Sequence, residues 1–341
     1  MDPETARKMV VQTLRTAERN KVFRNGGQSG LRFAAIDGWE PFSSRHRHCP
    51  GCLTREVHVG PRELGQTVTE YYHAFVVAFY LDDCMDLVLD MEPIRSADVR
   101  LEAGEKEVKG HEGELTASKR LIVRLRSTYR WLDVLVVDAL YANGPFLTLA
   151  KELKFGVIAG LKKEGNEPLK EALRQWRDRS PDEVHNDKEN KERIELWNCQ
   201  EIATLGTYDG PIRVVRGTVH KEKAGTTHTW CFAVIGVANR LSNVGVLKMG
   251  RRRWHIENTA FHQWTQSWHF DHVFSHSEKG LPSLFWIFFL VFNLLQLFVY
   301  RHLGGYGRDQ GKDVTRTFVR LIDEMIDDLA RLTEPLVWDT S

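Results

Sequence analysis

Apolar residues in this chain fall into short, nearly continuous runs separated by polar stretches, with a few segments that repeat at helical spacing. The run Phe33-Ala-Ala-Ile36 predicts a strand over 31–36 that ends at Asp37, and Val134-Leu-Val-Val137 predicts a strand that ends at Asp138. Phe155-Gly-Val-Ile-Ala159 has the same character. Continuous apolarity of strand length marks strands covered on both faces. Residues 71–80 and 85–91 predict a hairpin around Leu81-Asp-Asp-Cys84, and residues 45–65 read as a polar excursion holding Cys49-Pro-Gly-Cys52.

Helical spacing appears over 5–20 (Val10, Val11, Leu14) and over 112–129 (Leu115, Leu121, Ile122, Leu125). Another helix is entered at Asn143-Gly-Pro145, where asparagine and an early proline suit a helix start. From about 164 to 243 the character changes. A polar helix and the charged run 180–193, of which 182–193 reads as a solvated loop, precede three strand-like pieces at 195–202, 212–219 and 229–235. Helix returns at about 251, followed by an apolar helix over 281–300 and an amphipathic one over 313–332.

This order predicts an α/β fold with a β-rich insertion. The expected organisation is a short helix and linker (1–30), a first part of the core (31–163), the insertion (164–243), a return to the core (244–303) and a C-terminal helix with its tail (304–341). Segment 281–300 is barely long enough to span a bilayer, and Asn293 and Gln296 interrupt it. It reads as a fully buried core helix, a setting in which helices apolar on all sides also occur.

Composition narrows the picture only slightly. Hydrophobic content of 42% and charged content of 27% are ordinary for a globular protein. A net charge of +1 favours no class of partner, so nucleic-acid contact must come from local patches such as Arg251-Arg-Arg253, Lys162-Lys163 or Arg45-His-Arg-His48. Five cysteines without dense spacing point to a reducing cytoplasm, and the first residues lack a signal peptide's apolar core.

The chemistry centres on one stripe. Read as a helix, Trp254, Glu257, Phe261, Trp264 and Trp268 share a face. A carboxylate buried among aromatic rings needs a compensating charge, and a metal ion shared with Asp37 and Asp138 would supply it. Three oxygen ligands suit magnesium, with manganese as a substitute. Two such ions about 3.5–4 Å apart clamp the attacking and leaving oxygens of a phosphoryl displacement. In that reading Asp37 bridges both ions while Asp138 and Glu257 each take one. The structural alternatives are a turn at Asp37-Gly38, a cap at Asp138 and a pair between Glu257 and Arg253. Arg251, Arg252 and Arg253, one turn before Glu257, read as contacts to a DNA backbone. The three tryptophans of the stripe read as core.

The chain resembles an insertion-sequence transposase of the DDE class, in the group labelled by its YREK signature. The resemblance runs through Ala35-Ile-Asp37-Gly-Trp-Glu40, His48-Cys-Pro-Gly-Cys-Leu-Thr-Arg55, Tyr71-Tyr-His73, Glu112-Gly-Glu-Leu-Thr-Ala117 and Val136-Val-Asp138-Ala-Leu-Tyr141. It continues in Arg253-Trp-His-Ile-Glu257-Asn-Thr-Ala-Phe261, Trp268-His-Phe-Asp-His272 and Phe292-Asn-Leu-Leu-Gln-Leu-Phe298. It implies a ribonuclease H-like catalytic core with a β-rich insertion before the last acid, and catalytic, metal-holding residues at Asp37, Asp138 and Glu257. It also implies double-stranded DNA as partner (transposon ends and target), a homodimer in the synaptic complex and a cytoplasmic, nucleoid-associated protein without a membrane. The signature arginine falls on Arg253. The signature tyrosine falls on Gly250 and the lysine on Trp264, so neither is matched. About thirty residues precede the first strand, fewer than such transposases carry for end recognition. An N-terminally shortened copy is the corresponding expectation, and a truncated inhibitor or relic, or a nuclease without strand transfer, is the alternative to an active transposase.

Cys49 and Cys52 supply half of a tetrahedral zinc site. With His46 and His48 crowded against them and Cys84 distant, they read as loop-tip cysteines. His269, His272 and His276 read as surface or core residues.

Overall fold

The computed structural model describes residues 2–24, 27–61, 65–82, 85–162, 166–187, 191–203, 205–221, 225–254, 256–272 and 277–302, together with 323, 324, 326, 327 and 331. The helix expected over 313–332 lies almost wholly outside these residues, as do Cys84, Lys163 and His276.

Helix α1 (Pro3–Arg19) is capped by the Asp2 carboxylate on Thr5 N–H and buries Ala6, Val10, Val11, Leu14 and Ala17 along one side. Strand β1 (Phe33–Trp39) follows, and Asp37 sits within it, paired with Val77, rather than beyond its end. The polar excursion is itself β structure. Strands β2 (Ser43–Ser44), β3 (Leu53–Val59) and β4 (Gln66–Tyr72) form a three-stranded sheet in the order β2-β4-β3. Tyr71 and Tyr72 therefore belong to this sheet and not to the hairpin, which is β5 (Phe75–Leu81) with β6 (Asp86–Pro93).

A short helix α2 (Ala97–Glu102) precedes α3 (Glu114–Thr128), strand β7 (Val134–Val137) and helix α4 (Gly144–Glu152). The Asn143 side chain accepts from Phe146 N–H and starts α4 where expected. Strand β8 (Gly156–Gly160) and helix α5 (Glu167–Gln175) come next. Strands β9 (Glu183–Asp187), β10 (Glu192–Ile202), β11 (Ile212–Lys221) and β12 (Thr226–Ile235) form an antiparallel meander. Part of the charged run 180–193 is thus an edge strand rather than a loop, its charges suiting an edge that must not recruit another chain.

The meander does not stand apart. Strand β12 pairs antiparallel with β8, which makes one nine-stranded sheet, β6-β5-β1-β7-β8-β12-β11-β10-β9. Among the described residues only the β1–β7 and β7–β8 pairs are parallel. Strands β1 and β7 lie side by side and point the same way, which brings Asp37 and Asp138 to the same edge of the sheet.

Helix α6 (Asn243–Arg252), capped by Ser242 on Gly245 N–H, starts eight residues before the expected position 251. A π-helical turn (Ile256–Phe261), helix α7 (His262–Trp268) and the long helix α8 (Gly280–His302) complete the described fold. Helix α8 is long and apolar enough to cross a membrane, yet Phe285, Trp286, Phe289 and Phe292 are buried in the protein. The buried Asn293 amide accepts from Val88 N–H and donates to Val88 C=O, both at 2.8 Å, and so occupies main-chain groups of edge strand β6. The expectation of full burial is corrected on the opposite side, where Ile287, Val291, Leu294 and Phe298 are exposed.

Candidate active site

Strand β1 ends in Asp37-Gly38-Trp39, and each of these residues has a distinct part. Trp39 anchors an aromatic cluster, with ring centres 5.1 Å from Trp264 and 4.8 Å from Phe285. Gly38 leaves room for a neighbouring acid, because a Cβ there would lie 2.6 Å from Glu114 Oε2. Asp37 faces the site, its Oδ1 accepting from Gly38 N–H and its Oδ2 from Arg253 Nη1 at 2.5 Å.

Arg253 is the hinge of the arrangement. The same Nη1 donates to Glu257 Oε1 at 2.6 Å, so one guanidinium nitrogen binds both carboxylates. Burial pushes the Asp37 carboxyl up to about 7 against the opposing pull of Arg253; a hydrogen bond with Glu257 and the charges of Glu257 and Asp138 push the same way. Asp138 caps the 3₁₀ turn Ala139–Tyr141 through Leu140 N–H at 2.8 Å. The cap and the Arg253–Glu257 pair foreseen as structural alternatives both exist, and they hold the same carboxylates that converge on the site.

Asp138, Arg253 and Glu257 line one open cavity of about 880 Å³, along with Lys162, Lys221, His228, Trp230, Arg251 and Trp254. Glu257 is nearly half exposed on its side chain, which corrects the premise that it is buried in an aromatic stripe. The π-helical turn is the cause. Its extra residue per turn breaks the shared face, leaving Trp264 fully buried while Glu257 opens to the cavity and Trp254 is 55% exposed. Trp254 is therefore not a core residue.

The three arginines diverge. Arg251 lies over the Trp230 ring at 4.8 Å and 3.6 Å from Glu192 on the cavity wall. Arg252 turns inward and donates to the main-chain carbonyl of Asp82. Arg253 binds the acids instead of facing outward.

Glu114, in the first turn of α3, is a fourth carboxyl that the sequence pattern left without a role. It accepts from Tyr141 O–H at 2.5 Å; burial raises its pKa, opposed by that bond and reinforced by the charge of Asp138. The detectable signal was an acid opening a helix after the hairpin, but many helices begin that way. The two unmatched signature positions also have physical reasons. A Cβ on Gly250 would fall 2.3 Å from the Phe232 ring, so a larger residue there would have to displace that ring. Trp264 is enclosed by Trp39, Phe79 and Phe289, where a lysine would bury its charge.

Asp37, Asp138 and Glu257 offer oxygen donors, which suit a hard divalent cation rather than a soft one, but here Arg253 stands between Asp37 and Glu257 and the three do not close into one ligand cluster. No curated protein matches the chain. Residues 106–294, more than half of the chain and inclusive of Asp138 and Glu257, match the family model for the transposase DDE domain, and the chain belongs to that family.

Proposed function

We propose that the protein is a DNA transposase that cleaves and joins DNA strands, with Asp37, Asp138 and Glu257 as its catalytic acids. The observation that carries this reading is that one arginine nitrogen binds both Asp37 and Glu257 while Asp138 shares the cavity wall with Glu257. Strands β1 and β7, adjacent and parallel, support the ribonuclease H-like reading, because ligand-holding groups gather at the carboxyl ends of such strands.

Asp37, Asp138 and Glu257 would hold Mg²⁺, or Mn²⁺ in its place, which when bound stabilises charge on a phosphoryl oxygen and activates a nucleophile. Arg253 offsets one charge of the Asp37–Glu257 pair and holds both carboxylates in place. Lys162, Lys221 and Arg251 line the cavity as cations able to meet a phosphate backbone. The exposed Trp254 and the partly exposed Trp230 offer flat apolar surface to an unpaired base or sugar. Double-stranded transposon ends and target DNA are the proposed partners, with a homodimer as the assembly that would pair two ends.

Glu257→Gln tests this directly. The change keeps the shape, removes an anionic ligand and lessens repulsion of phosphate. On a supercoiled plasmid bearing the element's own ends, cleavage in Mg²⁺ should fall by orders of magnitude, while DNA affinity in a gel-shift assay persists or rises. Equal cutting by wild type and variant would reduce Glu257 to a structural partner of Arg253.

A further inference from the structure

Three further side chains, Cys49, Cys52 and His73, meet beside the three-stranded sheet, and the site described above makes no use of them. The Cys49-Pro-Gly-Cys52 turn is tight: Cys52 N–H donates to Cys49 C=O at 2.9 Å, and Cys49 N–H points at Cys52 Sγ at 3.3 Å. Ser96 Oγ fixes the turn from outside by donating to Pro50 C=O at 2.5 Å. His73 follows β4 directly and is buried, with the Phe42 ring edge-on at 6.3 Å.

The distances have the signature of a coordination shell. The two sulfurs are 3.8 Å apart, and His73 Nε2 lies 3.5 Å from Cys49 Sγ and 3.4 Å from Cys52 Sγ. Zinc bonds of about 2.3 Å to sulfur and about 2.0–2.1 Å to nitrogen set tetrahedral edges of about 3.8 Å between sulfurs and about 3.5 Å between sulfur and nitrogen. All three edges agree with one face of such a tetrahedron. A disulfide would require the sulfurs to be about 2.05 Å apart, and a chain of thiol hydrogen bonds has no reason to close into a near-equilateral triangle.

We propose that Cys49, Cys52 and His73 bind a structural zinc ion that pins the three-stranded sheet to the start of β5. The need is physical. Along β3 only Leu53 is buried and along β4 no residue is, so this sheet has almost no apolar core of its own. Small substructures of that kind rely on metals or cross-links in place of a core. Among the described residues Glu278 borders the turn, its Cγ 3.1 Å from where a Cβ on Gly51 would stand, and its carboxylate or a water is the fourth ligand we assign. This assignment is independent of the proposed transposase chemistry.

Full-length protein purified under reducing conditions from zinc-supplemented cells should carry one zinc per chain by elemental analysis. Cys52→Ser and His73→Gln should bring zinc to background, whereas Cys199→Ser and Asp138→Asn should retain it, which separates this site from the remaining cysteines and from the catalytic acids. Cobalt added to metal-free wild type should give sulfur-to-cobalt charge-transfer bands and the visible bands of tetrahedral cobalt, a readout that needs no variant to fold. Glu278→Gln should leave those bands unchanged if water fills the fourth position and shift them if the carboxylate does. Wild type without zinc and without the cobalt bands would overturn the proposal. So would zinc retained by the Cys52→Ser, His73→Gln double variant, or a Cys49–Cys52 disulfide found by mass spectrometry in the reduced preparation.

Discussion

At Asp37 burial, one guanidinium and two neighbouring carboxylates compete, and the proton wins until about pH 7. The sign of the consequence follows from linkage. The folded pKa lies above the unfolded value of 3.8, so between those pH values the folded protein holds a proton that the unfolded chain has released. Stability of the magnesium-free protein should therefore fall as pH rises from about 4 to 7, by roughly 1–3 kcal/mol. Urea midpoints at pH 5 and pH 8 should show this loss in wild type and a smaller one in Asp37→Asn. Added Mg²⁺ should restore more stability at pH 8 than at pH 5, and equal pH slopes for both proteins would remove Asp37 as the source. The sequence singles out Asp37 and Asp138 because each follows an apolar run, and Glu257 because it interrupts an aromatic stripe, even though Asp37 lies inside its strand and Glu257 opens to the cavity. His73 and Glu114 were not, since each becomes meaningful only through partners such as Cys52 and Tyr141, brought near by sheet pairing that residue patterns do not encode.

At the scale of elements, the hairpin is held to its helices by ions as well as by apolar contact. Asp90 in β6 is fully buried and accepts from Arg7 of α1 at 3.0 Å and Arg124 of α3 at 2.7 Å. Glu92, two residues further along the strand, pairs with Arg120 and again with Arg124. Removing one partner from a buried network strands the opposite charge, and Asp90→Ala should cost about 3 kcal/mol in urea denaturation. A loss below about 1 kcal/mol, the value of an exposed pair, would mean that the arginines re-solvate freely. Helix positions were readable from their caps and apolar spacing, as at Asn143 and along α1. The β2–β4 sheet was hidden because its alternation is polar on both sides, and the π-helical turn at Ile256–Phe261 was hidden because a 3.6-residue period was imposed across it. That single turn decides whether Glu257 faces the aromatic core or the cavity.

For the whole molecule, the pairing of β8 with β12 matters most, because it makes the strands between Asp138 and Glu257 a continuation of the sheet that carries Asp37. Both strand positions were visible as apolar runs, but nothing in either run names the other as its neighbour. Helix α6 then packs across β8, β11 and β12, close enough that a Cβ on Gly217 of β11 would fall 2.7 Å from Leu247. Gly156 in β8 is equally tight, its Cβ position 2.6 Å from Ala238 N. These contacts transmit the placement of the sheet to Arg253 and Glu257, so a loosened meander should mis-set the acids as well as unfold itself. Thermal unfolding in zinc-replete buffer should consequently be one transition, with far-UV circular dichroism and tryptophan fluorescence coincident. Fluorescence samples both halves, since Trp39 and Trp264 lie in the aromatic cluster and Trp176 and Trp197 lie on the meander side. A first transition that alters the fluorescence of a variant retaining only Trp176 and Trp197, while leaving a variant retaining only Trp39 and Trp264 unchanged, would show that residues 164–243 fold as a unit of their own. The rigid link from sheet to Glu257 would then have to be abandoned.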